Sequence, residues 1–133
     1  SKKSKQWPME HWLKVIQFFN ILGLRVLLPW GNLEEYHFSK ALRKASTNSL
    51  VLPKMNISDL ANVISGAKCI IGVDSGLTHL GNAVGIPTIG LYMDSNPYLT
   101  GVYPNIKVPS VNLGEIGVTP TPESTISQIE AII

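Results

Sequence analysis

Two rhythms of apolar residues alternate along this chain. Between residues 8 and 22, Trp12, Val15, Ile16, Phe19 and Leu22 recur at spacings of three and four, which is one face of a helix. Pro8 suits an early helical position and Gly23 a stop. "LRVLLP" (24–29) is then a short run of β type, and Trp30-Gly31-Asn32 turns the chain. A polar helix is predicted over residues 33–44, with Phe38, Leu42 and Ala45 inward. "SLVLP" (49–53) reads as a second strand. Ser58 is placed as the cap of a third helix that turns Leu60, Val63 and Ile64 inward and ends at Gly66.

"KCIIGV" (68–73) is a third strand, and the helix after Ser75 carries Leu77, Leu80 and Ala83 before stopping at Gly85. "PTIGLY" (87–92) is a fourth strand. A loop rich in Pro, Gly, Asn and Tyr fills residues 93–105, and "IKVPSV" (106–111) is an expected edge strand, where Pro109 is tolerated. Thr121 and Pro122 open a last helix as cap and first residue. Short, almost wholly apolar strands alternating with helices are the mark of βαβ units whose sheet is covered on both faces. The predicted fold class is α/β, a Rossmann-like doubly wound parallel sheet in one domain.

Composition narrows the function. The 133 residues are 44% hydrophobic and 15% charged, enough for a single packed core. A net charge of +2 is too mild to argue for nucleic acid. The lysines at positions 2, 3 and 5 read as a solvated basic end, too short to argue for a membrane anchor. One cysteine, Cys69, cannot pair within the chain, so no disulfide framework is expected. No apolar run reaches the ~20 residues of a membrane span, and no signal peptide is visible. The chain opens "SKKSKQWP" without Met, which reads as a piece of a longer protein.

In an open α/β sheet, ligands bind beyond the carboxyl ends of the strands. The richest of those ends is Asp74-Ser75-Gly76-Leu77-Thr78-His79. Backbone N–H groups at that helix start carry the positive end of the helix dipole and suit a phosphate. Gly76 would let backbone come close to a ligand, and His79 lies one turn in, on the side of Ser75. The plainer account is that Asp74 or Ser75 caps the helix and His79 packs. Spacing alone does not separate the two, and neither GxGxxG nor GxxxxGK[ST] is present. Glu34 and Glu35 open a helix, where carboxylates favour the dipole in any case; one of them could also grip a ribose diol. Met55 is either a shelf for a flat base or loop packing. His11 and His37 read as structural. No Cys/His set has metal spacing, and no nucleophile elbow stands out.

Four separated stretches, "KQWPMEHW", "LPWG", "LPKM" and "GVDSGLTHL", occur in an order and spacing that closely resemble the bacterial lipopolysaccharide heptosyltransferases, glycosyltransferase family nine. The likeness covers nearly the whole chain and is nearest to the member that adds the first heptose to Kdo. It implies the C-terminal half of a GT-B architecture, the donor-binding domain over residues 1–133, with the N-terminal acceptor domain absent. It implies ADP-L-glycero-D-manno-heptose as donor and Kdo-lipid A as acceptor. The reaction would be inverting and metal-independent, with no cofactor. Its base, an aspartate, would belong to the missing domain. By motif, Lys5 resembles the lysine that neutralises the diphosphate, and Ser1 falls at the phosphate-contacting loop. Glu35 resembles the acid on the ribose, Met55 the residue beside adenine, and Asp74 the aspartate on the heptose. Ser75, Gly76 and His79 resemble the phosphate-binding helix start, with Ser75 where the family commonly has Thr. Met93 departs from a family glycine, so no contact is carried into the loop after it. The expected location is peripheral, on the cytoplasmic face of the inner membrane. Two alternatives stay open: transfer of a later core heptose, and a non-catalytic nucleotide-binding α/β module.

Overall fold

The computed structural model describes residues 6–73, 75–93 and 109–133. Ser1, Lys5, Asp74 and most of the predicted loop and edge strand between residues 93 and 111 lie outside that set. Two compact units are present. One is Pro8–Asn56; the other joins Trp7 to the described part of Ile57–Ile133.

In the first unit, helix α1 (Met9–Ile21) precedes strand β1 (Val26–Leu28), helix α2 (Leu33–Ala45) and strand β2 (Ser49–Val51). Strands β1 and β2 run parallel, with Val26 opposite Ser49 and Leu28 opposite Val51. Ile16, Leu28 and Leu42 form the core, and Met9, Trp12, Leu13, Val26, Phe38 and Val51 pack against it. Gly23 ends α1 with a φ of 81°, its N–H donating to the Asn20 carbonyl while Leu24 N–H reaches back to Phe19. That is the paired closure of a Schellman motif, which an L side chain at the left-handed position would strain. Leu22, predicted on the buried face, is 51% exposed because it sits past the helix end. Ala45, also expected inward, is exposed at the last turn of α2.

The second unit contains helix α3 (Ile57–Ser65), strand β3 (Ile70–Val73), helix α4 (Gly76–Ala83), strands β4 (Thr88–Tyr92) and β5 (Ser110–Gly114), and helix α5 (Pro122–Ile132). These strands form one parallel ladder in the order β3-β4-β5. Every residue of β4 is buried, as its central place and apolar sequence require. Thr121 caps α5 by accepting from Ser124 N–H at 3.0 Å.

Two expectations are corrected. Ser58 does not precede α3 but is its second residue, because the helix begins at Ile57. Strand β5 is described over Ser110–Gly114 and runs past its predicted end at residue 111, while residues 106–108 of the predicted strand lie outside the described residues. Pro109 has no N–H for a ladder, yet its carbonyl accepts from Thr88 N–H at 3.2 Å. The most buried residues of α4 are the small ones, Thr78 and Gly81, while Ala83 is exposed. A close approach to β3 explains this: a Cβ on Gly81 would stand 2.2 Å from Ile70 Cδ1. The α/β class with parallel strands and intervening helices is as predicted. Among the described residues, its ladder hydrogen bonds run in two sets rather than one continuous sheet.

Candidate functional site

Two strand ends carry the candidate residues. In the Pro8–Asn56 unit, the chain leaves β1 through Pro29 and Trp30 and enters α2. Asn32 caps that helix: its Oδ1 accepts from Glu35 N–H at 2.8 Å. Glu35 returns the favour, with Oε1 accepting from Asn32 N–H at 3.2 Å and from Gly31 N–H at 2.8 Å. This is a complete capping box, so one carboxylate oxygen of Glu35 is committed to the helix start. The plainer account of Glu35 is therefore observed.

The turn is braced from the side. Trp30 donates its indole N–H to the Leu52 carbonyl at 2.6 Å, linking the segments that follow β1 and β2. Its ring meets Tyr36 with centroids 4.7 Å apart, and Lys40 Nζ lies 5.4 Å from the Tyr36 centroid. Met55 is half-buried in the segment between β2 and α3. His37 is exposed, with its ring 5.7 Å from Tyr36.

The other strand end belongs to the second unit. Ser75 is the N-cap of α4, with φ −154° and ψ 162°, but its side chain makes no capping bond. The first bond of the helix runs from His79 N–H to the Ser75 carbonyl at 3.2 Å. The N–H groups of Gly76, Leu77 and Thr78 precede it and are the donors a helix leaves over at its start. Among the described residues, a Cβ on Gly76 would meet nothing within 4 Å. His79 is half-buried on the first turn. Asp74, expected to touch the sugar, lies outside the described residues, as do Ser1 and Lys5.

Sequence reasoning missed Thr78 and Asn32. Asn32 was detectable, since Asn followed three residues later by Glu is the signature of a capping box. Thr78 was read only for its backbone N–H. Its side chain donates to the Val73 carbonyl at 2.6 Å, a role that appears only once strand and helix are placed together. Among the described residues no group of three or more His, Cys, Asp or Glu could hold a metal ion, and no helix is long and apolar enough to cross a membrane.

Comparison with known proteins bears on these strand ends. The family profile of glycosyltransferase family 9 (heptosyltransferase) matches residues 1–125. The chain belongs to glycosyltransferase family 9. A family 9 relative, lipopolysaccharide heptosyltransferase 1 of Escherichia coli, is 39% identical over 103 residues, which cover 77% of this chain and 32% of the relative. The chain thus spans about a third of the length of that curated relative. Two solved structures are also similar. One is the E. coli heptosyltransferase WaaC with ADP, at a TM-score of 0.87 and 33% identity, covering 98% of this chain and 41% of that one. The other is the same enzyme with ADP-2-deoxy-2-fluoro heptose, at a TM-score of 0.84 and 31% identity, covering 98% of this chain and 40% of that one. The family 9 chain therefore has the Rossmann-like α/β fold of a GT-B glycosyltransferase half.

Proposed function

We propose that this chain is the donor-binding, C-terminal half of an inverting heptosyltransferase. It would bind ADP-L-glycero-D-manno-heptose for transfer of the heptose to Kdo of the lipopolysaccharide inner core. The observation that carries the reading is the likeness, over 98% of the chain, to a heptosyltransferase solved with ADP. Family membership and the relative named heptosyltransferase 1 support the same donor.

The chemistry asks for stabilisation of leaving ADP, whose charge grows as the glycosidic bond breaks. In this reading the N–H groups at the start of α4, with Ser75, Gly76 and His79, take the diphosphate, and Lys5 neutralises it without a metal. Ser1 lies by the phosphates. Glu35 hydrogen-bonds the ribose, Met55 flanks the adenine, and Asp74 meets the heptose. The acceptor, Kdo-lipid A, and the aspartate base that deprotonates its hydroxyl would be held by an N-terminal domain. The whole enzyme would work as a peripheral protein on the cytoplasmic face of the inner membrane. By itself the 133-residue chain is expected to bind ADP weakly and to transfer nothing.

Calorimetric titration with ADP at low salt, on this chain and on His79→Ala and Lys5→Ala, tests the donor site. Each variant should weaken binding by about 1–2 kcal/mol, the scale of a lost charge-assisted hydrogen bond. Unchanged affinity in both would return these residues to capping and packing. An acceptor panel on the complete enzyme separates the first heptose from a later one.

A further inference from the structure

We infer that Thr78 is a positioning residue for the turn between β3 and α4, and that its hydroxyl, rather than its bulk, aims the donors of that turn. The inference rests on the reading of the α4 start as the seat of the diphosphate.

Thr78 is 1% exposed, in the first turn of α4. Its Oγ1 donates to the carbonyl of Val73, the last residue of β3, at 2.6 Å. A threonine hydroxyl has one proton to give. With that proton on Val73, Thr78 can only accept from Ser75, whose Oγ lies 3.4 Å away. The protons therefore run one way, from Ser75 to Thr78 to the Val73 carbonyl. A separation of 3.4 Å is long for a pair of hydroxyls, so little holds Ser75 there. Its O–H is free to swing to an anion at the helix start while Thr78 stays fixed.

Gly72 makes room for this clasp. A Cβ at Gly72 would stand 2.1 Å from Thr78 Oγ1, so the hydroxyl occupies the space a side chain would fill. One helical step further, Gly81 lies close against Ile70 in the same way. Strand and helix are thus held together at two points, one at the strand end and helix start and one further along both, and the direction of the Gly76 and Leu77 N–H groups follows from the lock. Sites built from backbone donors depend on such support, because their geometry must hold within about 0.5 Å.

Packing and hydrogen bonding can be separated. Thr78→Val keeps the shape and removes the hydroxyl. In the double variant Gly72→Ala with Thr78→Ala, the new Cβ takes the vacated space, its nearest remaining neighbour being Cβ of residue 78 at 3.3 Å. Thr78→Ser restores the hydroxyl. Calorimetric titrations with ADP and with adenosine, alongside thermal melts, decide the matter. Thr78→Ser should bind ADP as the parent does. Thr78→Val and the double variant should each lose about tenfold in ADP affinity, the upper range for one hydrogen bond, with adenosine affinity unchanged. Parent-like ADP binding by either variant that lacks the hydroxyl would overturn the proposal, as would a fall in adenosine affinity in step with ADP. If the parent chain itself binds ADP no better than adenosine, the diphosphate reading fails and the proposal falls with it. That result appears before any variant is made.

Discussion

Trp7 donates its indole N–H to the carbonyl of Pro120 at 2.9 Å, across 113 residues of sequence. Trp7 is 1% exposed, so both the ring and its single polar atom are out of water. Phe in its place fills part of the space but leaves the Pro120 carbonyl without this donor. Trp7→Phe should cost about 1–3 kcal/mol and Trp7→Ala about 3–5 kcal/mol in urea unfolding. A loss below about 0.5 kcal/mol in the Phe variant would mean that water replaces the bond freely.

Asn20 should be almost as sensitive, though it is polar and only partly buried. Its Nδ2 donates to the carbonyls of Leu24 and Asn48, at 3.0 and 2.8 Å. Its Oδ1 accepts from Thr47 Oγ1 at 3.1 Å and from Asn48 N–H at 3.0 Å. All four positions of the amide are in use, tying the end of α1 to the chain entering β2. Asn20→Ala should lower stability by about 2–3 kcal/mol, more than the ~1 kcal/mol of a single exposed hydrogen bond. Amide exchange at Asn48 should rise in the same variant.

Asn32 and Glu35 separate capping from ligand binding. Asn32→Ala removes a cap and should cost about 1 kcal/mol in stability, within a range of about 0.5–2 kcal/mol. Glu35→Gln keeps an oxygen for the Gly31 and Asn32 N–H groups, so its melting curve should stay close to the parent's. If the carboxylate grips a ribose, the same variant should weaken ADP and adenosine alike. A parent-like affinity for both would leave Glu35 with the helix start as its whole task.

Cys69 is predicted to be slow to react. Burial pushes its thiol from 9.0 up to about 11, so the folded protein holds the proton that an unfolded chain releases first. The stability contribution is therefore complete below pH 9 and is lost as pH rises from 9 towards 11. The loss is at most about 3 kcal/mol, taking 1.4 kcal/mol per pKa unit. Iodoacetamide at pH 8 should label Cys69 far more slowly in buffer than in urea. Equal rates would show that the thiol is open to solvent.

The elements with strong periodicity were readable before any coordinates. Helices α1, α2, α4 and α5 and strands β1 to β4 lie where spacing, caps and glycines put them, because each carries its own local signal. Strand β5 runs past its predicted end because its ladder partner β4, 22 residues earlier in the chain, continues to Tyr92 opposite Gly114. The inward face of α4 is likewise set by its partner strand. Leu77, Leu80 and Ala83 have the hydrophobic spacing, but Gly72 and Ile70 on β3 leave room only for Thr78 and Gly81 at closest approach. At the candidate site, "DSGLTH" announced a helix start following a strand, but not that the Ser75 side chain makes no capping bond. The proton order through Thr78 could not be read there, because it depends on distances between atoms that sequence does not specify.

The clasp between Trp7 and Pro120 also sets an order of events during synthesis. Residues 8–56, a complete unit with its own parallel strand pair, are interposed in the chain between Trp7 and the rest of its unit. On a ribosome this inner segment can close on itself long before residue 120 is made, since domains fold as they emerge. Trp7 is translated 113 residues before its partner. Until then its ring is an exposed apolar surface on a nascent chain, a natural handle for a chaperone.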